Sequence, residues 1–248
     1  MSKSISIITI NLNNREGLYR TIESVKAQTG AEFEFIVVDG GSTDGSVELI
    51  KNSKVISGYI SEKDSGVYNA QNKGIDLAHG EYLLFLNSGD CLYEQDTLSK
   101  IRPLLDGKTD IVYGNLMIEE NGHIIPGYMP ATIDLRQMME DTLWHPVSFI
   151  SARLFKNFGK YDESYKICGD YDFFFRTIIG KKVSTRHSGI FVSVFQHNGL
   201  SSQPANIPII QKEKHLTQKK YLGESGIRSY KRKKKMKNLF TRIFRWFR

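Results

Sequence analysis

Three apolar runs limit what this chain can fold into. They are Ile5-Ser6-Ile7-Ile8-Thr9-Ile10, Phe33-Glu34-Phe35-Ile36-Val37-Val38 and Tyr82-Leu83-Leu84-Phe85-Leu86. Each breaks off in a polar, turn-prone cluster: Asn11-Leu12-Asn13-Asn14, Asp39-Gly40-Gly41-Ser42 and Asn87-Ser88-Gly89-Asp90. Short apolar runs rich in β-branched and aromatic residues read as strands buried on both faces, as in a parallel sheet. Helical spacing fills the gaps. Leu18, Ile22 and Val25 follow Arg15, with Gly30 as a stop; Val47, Leu49 and Ile50 follow a cap at Ser42, Thr43 or Asp44; and residues 66–79 end at Gly80, just past the C-cap. A shorter strand over residues 55–60 precedes the last of these helices.

Strand–helix alternation of this kind predicts an α/β, doubly wound, mostly parallel sheet with helices on both faces. Ligands of such sheets bind outside the carboxyl ends of the strands. Thr9, Asn11, Asp39, Asn87 and Asp90 are all expected at that edge. Gly89 lets a ligand or metal approach closely. The alternative at residues 87–90 is an ordinary turn. No G-x-G-x-x-G follows the first strand and no G-x-x-x-x-G-K-[ST] occurs, which argues against dinucleotide and ATPase loops.

The second half is less regular. Helices are expected over 97–105, 134–142 and 154–160, a hairpin turning at Glu120-Asn121-Gly122, and one or two strands over 183–195. The two cysteines, Cys91 and Cys168, offer neither a disulfide framework nor metal-ligand spacing.

Four motifs, taken in order, resemble the family-2 glycosyltransferases and their GT-A fold. They are Ile36-Val37-Val38-Asp39-Gly40-Gly41-Ser42-Thr43-Asp44-Gly45, the stretch from Glu62-Lys63-Asp64-Ser65-Gly66-Val67-Tyr68-Asn69 to Gly74, then Gly80-Glu81-Tyr82, and Phe85-Leu86-Asn87-Ser88-Gly89-Asp90. The resemblance covers roughly residues 4–202. It is closest to bacterial exopolysaccharide, colanic acid and O-antigen transferases. It implies an inverting transfer of a sugar from a nucleotide-diphosphate donor to a lipid-linked glycan acceptor. Asp39, flanked by Thr9 and Asn11, then meets the nucleotide base or ribose, and a carboxylate accepting from a uracil N–H favours UDP. A turn or N-cap acid is the alternative for Asp39. Asp64, Asn72 and Lys73 match positions near the donor, with a solvated side chain as the alternative for Lys73.

The resemblance also implies that Asp90 holds Mg²⁺ or Mn²⁺ against the diphosphate, since hard oxygen ligands suit those ions. Asn87 and Gly89 stand where the family often has acids, so Asn87 offers only a carbonyl oxygen. Asp170 matches the catalytic base, which takes the acceptor's hydroxyl proton. The family often has Glu-Asp here; this chain has Gly169-Asp170. Asp172 reads instead as an acid favouring a helix start. His197 resembles a histidine near the metal or diphosphate, with a structural role as the alternative. Trp144 and His145 are candidates for the acceptor pocket on their own chemistry, since aromatic faces suit sugar rings, with core packing as the alternative.

The net charge of +7 is concentrated at one end. Residues 227–248 hold ten Lys or Arg and no acid, leaving 24 basic against 27 acidic residues elsewhere. A mildly acidic body argues against nucleic acid as a partner. On a helical wheel at about 100° per residue, Met236, Leu239, Phe240, Ile243, Phe244, Trp246 and Phe247 share one arc, and Thr241, Arg242, Arg245 and Arg248 the other. This predicts a basic amphipathic helix lying on a membrane surface, with a disordered tail, a protein-docking helix or nucleic-acid contact as alternatives. The chain then divides into a nucleotide-sugar half (1–98), an acceptor half (99–205), a helical connector (206–226) and a membrane-associating tail (227–248). The expected location is the cytoplasm, peripheral on the inner face of the membrane. A sugar-nucleotide nucleotidyltransferase and a non-catalytic sugar-nucleotide-binding scaffold are the competing functions.

Overall fold

The computed structural model describes residues 5–120, 122–196 and 199–246, the last ten as backbone only. The first half builds a parallel sheet from β1 (Ile5–Asn11), β2 (Glu34–Asp39), β3 (Gly58–Ser61) and β4 (Tyr82–Phe85), with α1 (Arg15–Lys26), α2 (Ser46–Asn52) and α3 (Val67–Leu77) between them. Strand order is β3-β2-β1-β4, so the chain winds outward from β1 and then returns to its other side. The carboxyl ends of β1 and β4 therefore form a topological switch point, where open sheets bind ligands.

Beyond β4 the direction of the sheet becomes mixed. β5 (Cys91–Leu92), α4 (Thr97–Ile101), β6 (Ile111–Glu120), β7 (His123–Gly127), α5 (Leu135–Glu140), β8 (Ser148–Ser151), α6 (Ala152–Phe158) and α7 (Gly169–Phe174) follow in order. Then come β9 (Thr185–Gln196) and α8 (Ile207–Trp246). β8 lies antiparallel between β4 and β6, while β6 and β9 run parallel. β6 and β7 make the expected hairpin, and 185–196 is a single strand.

Two glycines act differently from the sequence reading. α3 stops at Leu77, and Gly80 is not the left-handed residue after its C-cap. A Cβ at Gly80 would lie 2.6 Å from the Ser6 amide nitrogen, so glycine is needed there for contact with β1. The buried Glu34 carboxylate accepts from the His79 and Gly80 N–H groups and from Ser6 Oγ, which closes the helix end instead. Similarly α1 ends at Lys26, and Gly30 (φ +71°) turns the loop beyond it.

α8 kinks at Gly223 (φ 64°) and is not a free appendage. Its first segment packs on α7 and the residue that follows it: Lys220 pairs with the fully buried Asp172 at 3.2 Å, and Tyr221 stacks on Phe175 at 5.8 Å. After the kink, Ile227 is buried, Tyr230 donates to Glu140 at 2.9 Å, and Lys234 pairs with Glu140 at 3.1 Å.

Candidate active site

The end of β2 carries a saturated carboxylate. Asp39 is fully buried and accepts from Asn11 Nδ2 (2.9 Å), Ser42 Oγ (2.6 Å), Ser61 Oγ (2.9 Å) and the N–H groups of Gly41 and Ser42 (3.1 and 2.9 Å). Burial alone would raise its pKa, but those donors outweigh it and hold the group below the usual carboxylate range. Asn11 passes the network on, because its Oδ1 accepts from Ser88 Oγ at 2.9 Å. Asp64 folds over Gly40, where any Cβ would lie 2.5 Å from its Oδ2. Leu12, 58% exposed beside them, is an apolar platform on an otherwise polar edge.

Some candidates are engaged by other residues of the chain. Thr9 donates to the Leu86 carbonyl at 2.6 Å and is fully buried. Lys73 pairs with Glu62 at 2.7 Å. Asn72 is spent on one loop: Nδ2 donates to the Tyr161 carbonyl (3.0 Å) and Glu163 (2.8 Å), and Oδ1 accepts from the Tyr161 N–H (3.1 Å). His145 is buried, stacked on Phe85 at 4.6 Å and bonded to the Tyr161 hydroxyl at 2.9 Å. Burial pushes its pKa down to about 3, so it sits in the aromatic core as neutral imidazole. In this geometry Asn72 and His145 hold the loop at 161–163.

Asp90 is 5% exposed, and burial raises its pKa to about 7. Its Oδ1 accepts from the Gln196 N–H at 3.2 Å. Thr21 on α1 pins the loop: its Oγ1 accepts from the Gly89 N–H (3.0 Å) and donates to the Asp90 carbonyl (2.8 Å). Gly89 has φ +106°, which glycine adopts without strain. Asn87 Oδ1 is buried without a hydrogen-bond partner among the described residues. A buried oxygen left unpaired carries a desolvation cost that a cation or a donor group would offset. The Asp90 carboxylate and this orphaned oxygen fit Mg²⁺ or Mn²⁺ in kind. They do not form a full cage, since no group of three or more His, Cys, Asp or Glu residues suited to a metal occurs among the described residues. His197 lies outside the described residues.

Asp170 is half-buried on the first turn of α7. Its Oδ1 accepts from the Tyr171 N–H (2.8 Å) and the Tyr68 hydroxyl (3.2 Å), and burial raises its pKa. Gly169 makes room for this arrangement, because a Cβ there would lie 2.8 Å from the Tyr68 ring. An aromatic ring thus fills the space that a glutamate side chain would need. The single Tyr68 hydroxyl proton is shared between Asp170 and the nearer Ile167 carbonyl. α3 thereby links the Asp64 side of the site to Asp170. Asp172 points the other way, into its pairing with Lys220.

The family model for "Glycosyl transferase family 2" matches residues 6–175. The chain belongs to this family. This transferase is 32% identical over 208 residues to a "PGL/p-HBAD biosynthesis glycosyltransferase" of Mycobacterium bovis, covering 79% of this chain and 78% of that protein. It is 30% identical to an "Uncharacterized glycosyltransferase" of Rickettsia typhi, covering 77% and 64%. Staphylococcus aureus TarS 1-349 in complex with UDP-GlcNAc superposes with a TM-score of 0.65 at 19% identity, over 87% of this chain and 66% of that one. The transferase spans 36% of a longer TarS chain. A mannosyltransferase of Pyrobaculum calidifontis in complex with GDP-Man and Mn²⁺ superposes at 0.61 with 14% identity, over 87% and 70%. At these identities the structures establish the GT-A fold and nothing finer.

Sequence reasoning missed several residues that organise the transferase's site. Thr21 carried a signal: a hydroxyl beside Leu18, Ile22 and Val25 on a buried helical stripe needs a tertiary partner. Ser88 and Tyr68 lay inside recognised motifs but had no role there. Glu213 had no local signal, since its partners lie more than forty residues away.

Proposed function

We propose that the transferase is an inverting enzyme taking sugar from a nucleotide-diphosphate donor, UDP-linked, to a lipid-linked glycan acceptor of bacterial surface polysaccharide synthesis. The observation that carries this reading is the Asp170 carboxyl, half-buried, raised in pKa and aligned by Tyr68. Asp170 takes the acceptor hydroxyl proton as that oxygen bonds to the anomeric carbon from one face. The bond from that carbon to the diphosphate oxygen breaks on the other face, and its electron pair leaves with the diphosphate.

Asp90 and Asn87 would hold a divalent cation together with oxygens of the donor's diphosphate. When bound, the ion offsets the charge gathering on the leaving group. Asp39 orders Asn11, Ser42 and Ser61 around the nucleoside; a uracil N–H replaces Ser42 Oγ as the incoming donor. Asp64 and the exposed Leu12 flank the nucleoside, and Lys73 stays tied to Glu62. His197 is reserved for the diphosphate end. The names of the TarS complexes, with UDP and UDP-GlcNAc, support the nucleotide.

The lipid-linked acceptor rests on the basic tail. No described helix is long and apolar enough to cross a membrane; the basic amphipathic pattern of residues 231–248 supports a peripheral contact, which we place at the inner face. Transfer from a panel of UDP-sugars to a lipid-phosphate-linked glycan, with and without Mn²⁺, tests the whole reading. Asp170→Asn should lower kcat by about 10²- to 10⁴-fold while still binding UDP. Asp90→Ala should abolish Mn²⁺-dependent UDP binding with the fold retained. Full activity in Asp170→Asn would remove the base from the mechanism.

A further inference from the structure

Three successive backbone N–H groups immediately before the catalytic turn converge on one side chain. Lys166 donates to Glu213 Oε1 at 2.7 Å, and Ile167 and Cys168 donate to Oε2 at 3.0 and 2.9 Å. Glu213 belongs to α8, beyond the 6–175 span that matches the family. It is only 8% exposed. Its burial is matched to its charge: consecutive N–H groups curled around a carboxylate form an anion-binding nest, with charge-assisted hydrogen bonds. The carbonyl face of the same turn is held separately, where Ile167 accepts from Tyr68. Gly169 and Asp170 follow directly, and the Asp172 N–H donates to the Cys168 carbonyl at 3.0 Å to open α7.

We infer that Glu213 is a positioning residue for transfer, fixing the 166–168 turn so that Asp170 meets the acceptor hydroxyl. This rests on Asp170 being the base. Loss of the Glu213 charge leaves three N–H groups competing for weaker or missing acceptors, and the turn relaxes. A base displaced by about 1 Å loses up to about a hundredfold in rate. Donor binding, built from the β1, β2 and β4 ends, is untouched.

A double-mutant cycle with Glu213→Gln, Asp170→Asn and the pair tests this, with kcat measured at saturating donor and UDP affinity by calorimetry. Glu213→Gln should lower kcat by about ten- to a hundredfold with UDP affinity within about twofold of wild type. The double variant should be no slower than Asp170→Asn alone, since Glu213 acts through that carboxylate. Glu213→Asp, which keeps the charge on a shorter stem, should recover part of the rate, and replaces Glu213→Gln in the cycle should that variant fail to fold. Wild-type kcat in Glu213→Gln, or a double variant slower by the product of both effects, overturns the inference while leaving the base intact. Full activity in the single variant Asp170→Asn instead overturns the base reading, before Glu213 enters.

Discussion

Two opposing influences meet on the Asp170 carboxyl group. Burial disfavours its charge and raises the pKa, while the Tyr171 N–H and the Tyr68 hydroxyl favour the charge. Burial wins, so the group titrates above the ordinary carboxylate range. A general base works only when deprotonated, so kcat should climb as pH rises through this raised pKa and flatten above it. Tyr68→Phe removes a donor to the charged form, which raises the pKa further. The acid limb of the kcat profile should therefore move to higher pH in Tyr68→Phe, with UDP affinity unchanged. An acid limb that stays put would show that Tyr68 does not address the working form of the base. Gly169 belongs to the same argument. Gly169→Glu restores the residue the family often carries here, yet its Cβ has no space beside the Tyr68 ring. The variant should be less stable and slower than wild type, and Tyr68→Ala should relieve part of the strain; melting temperatures of the single and double variants check this.

Among the elements, α1 does more than cover the sheet. Thr21 hydrogen-bonds both flanks of the 87–90 loop, so the helix fixes where Asp90 and the orphaned Asn87 oxygen stand. Thr21→Val keeps the shape but leaves the Gly89 N–H unpaired, at a cost of about 1–3 kcal/mol. Its melting temperature should fall and Mn²⁺-dependent UDP binding should weaken, whereas Thr21→Ser should behave like wild type. Equal UDP binding in the two variants would sever α1 from the proposed metal role of the 87–90 loop. The elements themselves were legible in the sequence, because apolar runs and helical stripes are local signals. So was the clustering of Asn11, Asp39, Asn87 and Asp90, which follows from strand ends sharing one edge. The inward roles of Thr9, Asn72 and His145 were not, since each depends on a partner distant in sequence: Leu86, Tyr161 and Phe85. Gly80 misled for the same reason, as a glycine required by contact with Ser6 looks locally like one required by a helix end.

At the scale of the whole molecule, the parts proposed to serve catalysis and membrane contact share α8. The segment before Gly223 supplies Glu213 to the Asp170 turn and Lys220 to Asp172; the segment after it docks through Ile227, Tyr230 and Lys234 and leads into the amphipathic arc. That arc falls mainly on residues 237–248, whose side chains lie outside the described residues. Two truncations separate the contributions. A chain ending at residue 206 strips Lys220 and Tyr221 from the fully buried Asp172 carboxylate and leaves it the Tyr165 hydroxyl, and it removes the Glu213 carboxylate from the three N–H groups of the 166–168 turn. It also uncovers Phe175, stacked under Tyr221. This chain should not fold cooperatively, although it contains every residue of the matched family span. A chain ending at residue 236 keeps all of those contacts. It loses four of the tail's cations, worth roughly 1 kcal/mol each at an anionic leaflet, and nearly all of the apolar arc. Its melting temperature and UDP affinity should match the full chain, while its flotation with vesicles containing anionic lipid should be lost. Transfer to a water-soluble acceptor analogue should persist and transfer to a vesicle-borne acceptor should fall, because enzyme and acceptor would no longer share a surface. Undiminished flotation of the 236-residue chain would move membrane contact away from the arc and onto the exposed basic run at 231–235, which that chain retains.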